Sequence, residues 1–286
     1  MPKALVVLSG GQDSTIALFL AKKQVYDEIH AITFDYGQRH RREIDAARKI
    51  AVEIAGVKTH EIININNGIL RSVSPLVDYS QELEQYENHE QMGQIIGDRV
   101  ELTFVPMRNA LFLTIAANRA IALDAEDDWD IWVGVCQEDN ANYPDCREDF
   151  IDAQQDAINE ALGDLGGITL YTPVLHYTKD EALRAYVAHS PDIYYALAYS
   201  HTAYDGTYPP SGADHATVLR AYSFEKARMP DPLIVRAWLD GLISDLPETA
   251  NYTRFVNLLE SLKGMAENNF PIDTLLKNLA DKVAEQ

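Results

Sequence analysis

The stretch LSGGQDSTIAL, Leu8 to Leu18, places two glycines, a carboxylate and several hydroxyls between a short apolar run (Ala4 to Leu8) and a second apolar stretch. Gly10 and Gly11 let the main chain turn sharply and approach a ligand with no Cβ in the way. Ser9, Ser14 and Thr15 can donate hydroxyl hydrogen bonds, and the first amides of a following helix have no intrahelical acceptor. Together these groups predict a cradle for an anion. The lysine of GxxxxGK[ST] is missing and the spacing is not GxGxxG, which argues against both a kinase-type phosphate loop and a dinucleotide fold. Asp13 is the residue out of place, because a carboxylate beside a phosphate repels it unless a cation lies between them. The expectation is therefore Mg²⁺ bridging Asp13 and nucleotide oxygens. The bland alternative is a tight turn with a Ser or Asp helix cap.

Three further segments bring polar groups to strand ends. FDYGQRH (Phe34 to His40) carries Asp35, Gln38, Arg39 and His40. TFVPMRNALFL (Thr103 to Leu113) sets Arg108 and Asn109 at the start of an apolar helix. GVCQEDNANYPDCREDF (Gly134 to Phe150) carries Asp139, Tyr143, Asp145, Cys146 and Arg147. Taken singly, Arg39 to Arg42 read as a solvated basic face, Tyr143 and Pro144 as turn residues, and Cys146 as a small buried hydrophobe. Their shared position beyond strand ends favours a binding site. Cys146 as a nucleophile is disfavoured, since nothing in the sequence places a histidine to lower its pKa.

The elements that must hold these groups follow an alternating pattern. Lys3 to Leu8, His30 to Phe34, Lys58 to Ile65 and Asp130 to Val135 read as strands. Ser14 to Lys23, Arg41 to Ala55, Asn109 to Leu123 and Glu148 to Leu162 read as helices, with a polar, tyrosine-bearing stretch between Asn66 and Asp98. This predicts an α/β fold, a parallel sheet sandwiched by helices. Ligands are then expected beyond the carboxyl ends of the strands. From about Asp231 the pattern is purely helical, broken near Pro247 and Pro271, so the division expected is residues 1–229 as one domain and 230–286 as a helical extension. The chain has 286 residues, 47% hydrophobic and 24% charged, enough for a sizeable core. Acidic residues outnumber basic ones 44 to 24, a net charge of -20, so stable nucleic-acid binding is not expected. Two cysteines, Cys136 and Cys146, argue against a disulfide scaffold. With no signal-peptide pattern and no membrane-spanning run, the expected location is the cytoplasm.

SGGQDST resembles the SGGxDS pyrophosphate loop of the ATP-pyrophosphatases, whose fold is of the adenine nucleotide alpha hydrolase type. FDYGQRH, TFVPMRN and the YPDCR loop are similar to the signatures of one branch, the 7-cyano-7-deazaguanine synthase family, over about residues 3 to 229. The resemblance implies an ATP-dependent ligase. Such an enzyme adenylates the carboxylate of 7-carboxy-7-deazaguanine, couples ammonia to give the amide, then adenylates and dehydrates that amide to the nitrile, preQ0, for 7-deazaguanine modification of tRNA or DNA. It implies ATP contacts from Leu8, Ser9, Gly10, Gly11, Gln12, Asp13, Ser14, Thr15, Phe34, Tyr36, Gln38, Arg39, Arg108, Asn109 and Gly134. Lys179, in YTPVLHYTKDEAL, would face the phosphates and act with Ser9, Asp13 and Ser14 in catalysis. Asp139, Tyr143, Asp145, Cys146 and Arg147 would form the substrate loop. A homodimer is the expected assembly, as relatives of this family are often dimers.

One region departs from that pattern. The family carries four zinc-binding cysteines late in the chain, whereas this sequence reads SHTAYDGTYPPSGADHATVLRAYSF from Ser200 to Phe224. Tyr204, Gly206, Gly212, Arg220 and Phe224 keep the scaffold, but Ala203, Ser211, Asp214 and Thr217 stand at the four ligand positions. Zinc is expected to be absent, because alanine offers no ligand atom and neutral hydroxyls bind zinc feebly. A replacement site from His201, Asp214 and His215 is the weaker alternative. The loop is expected to lie outside the nucleotide motifs, with packing of Tyr194, Tyr195, Tyr199, Tyr204 and Tyr222 and docking of the extension offsetting the lost metal. Two other functions stay open at this point: a ligase that stops at the amide or activates another carboxylate, and a nucleotide-binding module without catalysis.

Overall fold

The computed structural model describes residues 3–65, 69–137 and 141–285. In chain order the elements are β1 (Lys3–Val7), α1 (Gln12–Lys22), β2 (Glu28–Asp35), α2 (Arg42–Arg48, continued as a wider helical turn over Lys49–Ala55), β3 (Thr59–Asn64) and α3 (His89–Ile96). Then come α4 (Arg108–Leu123), β4 (Trp129–Val133), α5 (Glu148–Leu162), β5 (Ile168–Tyr171), α6 (Lys179–Ala182, widened over Leu183–Val187) and α7 (Pro191–Leu197). The chain ends with α8 (His215–Lys226), α9 (Pro232–Leu239), α10 (Ala250–Thr253), α11 (Val256–Glu267) and α12 (Ile272–Ala284).

The strands form one parallel sheet in the order β3-β2-β1-β4-β5. The apolar strand runs require this, since a sheet buried on both faces has no polar side to show. Along β1, Ala4 and Val6 join the core under α1, α2 and α7, and Leu5 joins the core under α4 and α5. The chain winds outward from β1 through β2 to β3, then returns to build β4 and β5 on the other side. The order therefore reverses between β1 and β4, and their carboxyl ends flank the crevice that such a reversal opens.

The expected fold class holds, with differences at particular elements. The strand β5 has only four residues, of which Ile168 and Leu170 are buried and Thr169 and Tyr171 exposed, too short a pattern to stand out in the sequence. The polar stretch before Asp98 contains α3, whose Met92 and Ile96 pack with Tyr86 against Val218 and Leu219 of α8. The helices beyond Asp231 lie on the same chain: Leu275, Leu276, Leu279 and Val283 of α12 share a core with Tyr194 and Leu197 of α7 and Leu18 of α1. No helix among the described residues is long and apolar enough to cross a membrane.

Candidate active site

The turn after β1 is built as its residues require. Gly10 sits at φ +89°, and a Cβ there would lie 2.2 Å from the carbonyl oxygen of Glu43, so only glycine lets α2 pack on the turn. Ser9 Oγ and Ser14 Oγ stand 3.0 Å apart, the Gly11 amide donates to Ser9 Oγ at 3.2 Å, and Thr15 Oγ1 donates to the Gly11 carbonyl at 2.7 Å. Gly11, the residue preceding α1, makes no side-chain cap, so the first amides of α1 remain available to a ligand. A Cβ on Gly134, just past β4, would fall 2.4 Å from the Ser14 amide; this glycine lets the start of α1 nest against the strand end.

These residues open into a cavity of about 250 Å³ at the β1/β4 crevice. Its floor is Val7, Leu8, Val133, Gly134 and Val135, and Ser9, Gly11, Gln12, Asp13 and Ser14 of the turn form one side. Gln12 is buried, and neither end of its carboxamide has a hydrogen-bond partner. Phe34, Tyr36 and Phe112 make an aromatic wedge, with Phe34 and Phe112 stacked at 4.1 Å and 9°. Such a wedge suits a flat heterocycle.

Charge is concentrated here in an otherwise acidic protein. Lys179 donates to Asp13 Oδ2 at 2.5 Å, both groups lining the cavity. Burial works against the Arg108 guanidinium, but Tyr36, Tyr143, Asp145 and Tyr204 around it hold it charged and raise its pKa. Burial pushes the neighbouring Asp145 carboxyl up, opposed by Arg108 and by the Asn109 amide, which donates to Asp145 Oδ2 at 3.3 Å. Asn109 Nδ2 also donates to the Asp145 carbonyl at 3.0 Å, tying the YPDCR loop to the start of α4. Tyr143 lines the cavity with its ring, while its hydroxyl donates to Glu101 Oε2 at 3.0 Å.

Not every expected residue reaches the cavity. Gly10 and Thr15 act within the turn, Thr15 being fully buried. Gln38 is a buried staple, accepting from the Tyr36 amide at 2.9 Å and donating to the Phe34 carbonyl at 3.0 Å. Arg39 turns outward to the Gln81 carbonyl and the Tyr79 ring. Asp145 sits behind the wall, and Arg147 is exposed at the start of α5. Asp139 lies outside the described residues.

The wall from His201 to Arg220 corrects one expectation. The segment departing from the family does not stand apart: His201, Thr202, Tyr204, His215, Ala216 and Arg220 line the same cavity. Ala203 is fully buried and Ser211 exposed. Asp214 caps α8, accepting from the Thr217 amide at 3.1 Å, and also accepts from the Tyr204 amide at 3.3 Å. Burial pushes Asp214 up to about 6, opposed by those amides. This donor set does not fit a four-coordinate zinc, and no group of three or more His, Cys, Asp or Glu side chains among the described residues could hold a metal ion. Arg220, on the next turn of α8, donates to Asp231 at 2.7 and 2.8 Å, to Ser200 Oγ at 2.8 Å and to Thr202 Oγ1 at 2.9 Å. Arg220 and Asp231 are 3% and 4% exposed, so this bidentate pair is a buried lock between cavity wall and extension. Asp231 also caps α9 through the Leu233 amide at 2.9 Å. Nothing in the sequence singled out Glu43, which lines the cavity from α2.

The profile of the queuosine biosynthesis protein QueC family matches residues 3–228. A 7-cyano-7-deazaguanine synthase from Gloeobacter violaceus is 43% identical over 82% of this chain and 96% of its own. Enzymes of the same description from Chromobacterium violaceum and Laribacter hongkongensis are 41% and 43% identical, each over 82% of this chain and 94% of its own. A crystal structure of a predicted tRNA methyltransferase subunit from Methanocaldococcus jannaschii covers 64% of this chain and 72% of its own at 18% identity, with a TM-score of 0.38, a likeness too slight to bear on the site. The profile match ends at the lock between α8 and the extension, and it spans every wall of the cavity: the chain belongs to the family of the queuosine biosynthesis protein QueC.

Proposed function

We propose that the protein is an ATP-dependent ligase that converts 7-carboxy-7-deazaguanine and ammonia to 7-cyano-7-deazaguanine. The observation that carries this reading is a single cavity holding the Ser9–Ser14 turn, an aromatic wedge and the cations Arg108 and Lys179, in a chain 43% identical to a 7-cyano-7-deazaguanine synthase.

A carboxylate resists nucleophilic attack, so the reaction needs AMP transferred to it first. In this reading the turn grips the triphosphate through the hydroxyls of Ser9 and Ser14 and the free amides of α1. Arg108 faces the substrate carboxylate, holding it beside the α-phosphate; positioning of this kind is a large part of such catalysis. One heterocycle stacks on Phe34 and Phe112. Lys179 neutralises charge on the departing pyrophosphate. Ammonia then displaces AMP to give the amide; a second adenylation of the amide oxygen lets that oxygen leave with AMP as the nitrogen gives up its last protons, which forms the nitrile. Asp13 and the phosphate oxygens fit Mg²⁺, which is usually held by one or two carboxylates plus substrate phosphates. Bound there, the ion would supply further neutralisation of the phosphate charge. The Asp13–Lys179 pair is a fitting resting arrangement for a carboxylate that a cation must otherwise satisfy.

A second reading has its own support, because the segment that departs from the family lines the cavity. A changed wall suits a ligase that stops at the amide or activates a related carboxylate. Incubation with 7-carboxy-7-deazaguanine, ATP, Mg²⁺ and ammonium, followed by mass spectrometry, separates the two. The nitrile is expected; the amide alone supports the second reading, and unconsumed substrate overturns the first.

A further inference from the structure

One group of side chains in the cavity has no part in the steps above. Glu43, from the first turn of α2, lines it together with His40 and with His201 from the segment before α8. The main chain holds both sides against the phosphate turn: α2 packs on Gly10 at the Glu43 carbonyl, and the His201 amide donates to the Gly10 carbonyl at 2.9 Å. The group therefore borders the turn on which nucleotide phosphates would rest, in the cavity that Arg108 also lines.

Glu43 is an unusual carboxylate. Its side chain is 13% exposed, and no lysine or arginine among the described residues pairs with it. Oε1 accepts from Gln38 Nε2 at 2.8 Å and stands 3.3 Å from His40 Nε2, while Oε2 carries no hydrogen bond among the described residues. Burial pushes Glu43 up, but His40 and Gln38 beside it outweigh that and hold the group below the usual glutamate range, so it is an anion. His201 Nε2 donates to the Ala203 carbonyl at 2.8 Å; a carbonyl only accepts, so the hydrogen is on Nε2 and the lone pair on Nδ1. Burial pushes His201 down, partly opposed by that carbonyl and by Glu43, which leaves the ring neutral at neutral pH. His40 Nδ1 is buried without a partner.

A buried anion flanked by imidazoles calls for a small cation with several N–H donors. A metal ion is a poor candidate, since no set of three ligating side chains is assembled among the described residues. We infer that Glu43, with His40 and His201, forms the site that captures ammonium and delivers it as ammonia to the activated carboxylate. The inference rests on the ligase reading above. Ammonium gives one proton to His201 Nδ1. The nitrogen lone pair then attacks the acyl carbon, the bond from that carbon to the AMP oxygen breaks with its electrons going to AMP, and the nitrogen passes a second proton to the Glu43 carboxylate as the amide forms.

Hydroxylamine provides the test, because it is mostly uncharged at neutral pH and needs no deprotonation to attack an acyl-adenylate. Glu43→Gln should lose about 100-fold or more in kcat/KM for ammonium while losing far less hydroxamate formation. Glu43→Asp, which keeps the charge, should restore part of the ammonium rate. Equal loss with both nucleophiles overturns the assignment in favour of Glu43 merely seating α2 on the turn, as does an unchanged ammonium rate. Should the wild-type protein form neither hydroxamate nor pyrophosphate, the ligase reading fails and the ammonium site falls with it; hydroxamate from the wild type with no selective loss in Glu43→Gln sinks the ammonium site alone.

Discussion

Two walls of one cavity hold their shape by different means. The wall from Ser9 to Thr15 is made of main chain: a glycine at positive φ, another residue's carbonyl where a Cβ would be, and hydroxyls folded onto the turn. The wall from Ser200 to Arg220 is made of carboxylates, with Asp214 joining Tyr204 to the start of α8 and Asp231 gripping Arg220 from the extension. The first kind tolerates almost no substitution, because the space itself is the function. The second kind can exchange its chemistry, since any group able to bridge the loop and α8 will serve.

The largest effect expected in testing this contrast is on the second wall. Asp231→Ala leaves the Arg220 guanidinium buried and unpaired, which should destabilise the protein by about 4 kcal/mol in chemical denaturation. A loss below 1 kcal/mol would mean that the extension is not what holds this wall. Next comes the first wall: Asp13→Ala should lower pyrophosphate release by about 100- to 1,000-fold with the melting temperature unchanged. Retained release would show that this turn does not carry the phosphate chemistry.

A smaller effect tests Asp214. Its folded pKa, about 6, lies above the ordinary 3.8, so the folded state binds the proton more tightly than the unfolded chain. The stability this supplies is present below about pH 4 and is lost as the pH rises through 6. Asp214→Asn keeps an acceptor for the cap but does not titrate. It should match the wild type near pH 4 and exceed it by about 2–3 kcal/mol above pH 6. A pH-independent difference between the two would show that Asp214 is not the group that titrates. The smallest effect is the absence of one: EDTA should leave the melting temperature unchanged, and metal analysis should find well below one zinc per chain. A chelator-induced drop would restore a metal to the second wall.

How much of this could be read in advance follows the same contrast. The turn was legible because its requirements are local: Gly10, Gly11, Ser14 and Asp13 lie within five residues, and their types state what backbone they serve. The strand and helix pattern through Leu162 was legible from periodicity, and Glu148–Leu162 was read at its observed bounds. The short strand β5 was not, because four residues give the alternation too little length. Gln38 and Arg39 were expected at the ligand but do not line the cavity, since a polar residue in a loop looks the same whether it staples the loop or faces the cavity.

By itself the sequence determined the parallel sheet and the glycine turn that follows its first strand, because periodicity and the conformational freedom of glycine are properties of neighbouring residues. Only the tertiary structure decided that the altered loop shares the cavity, that Glu43 meets His40 and His201 there, and that Asp231 closes on Arg220. Those meetings join residues distant in the chain, and what brings them together is burial: each charge left water only because the fold had placed a partner or a cavity beside it.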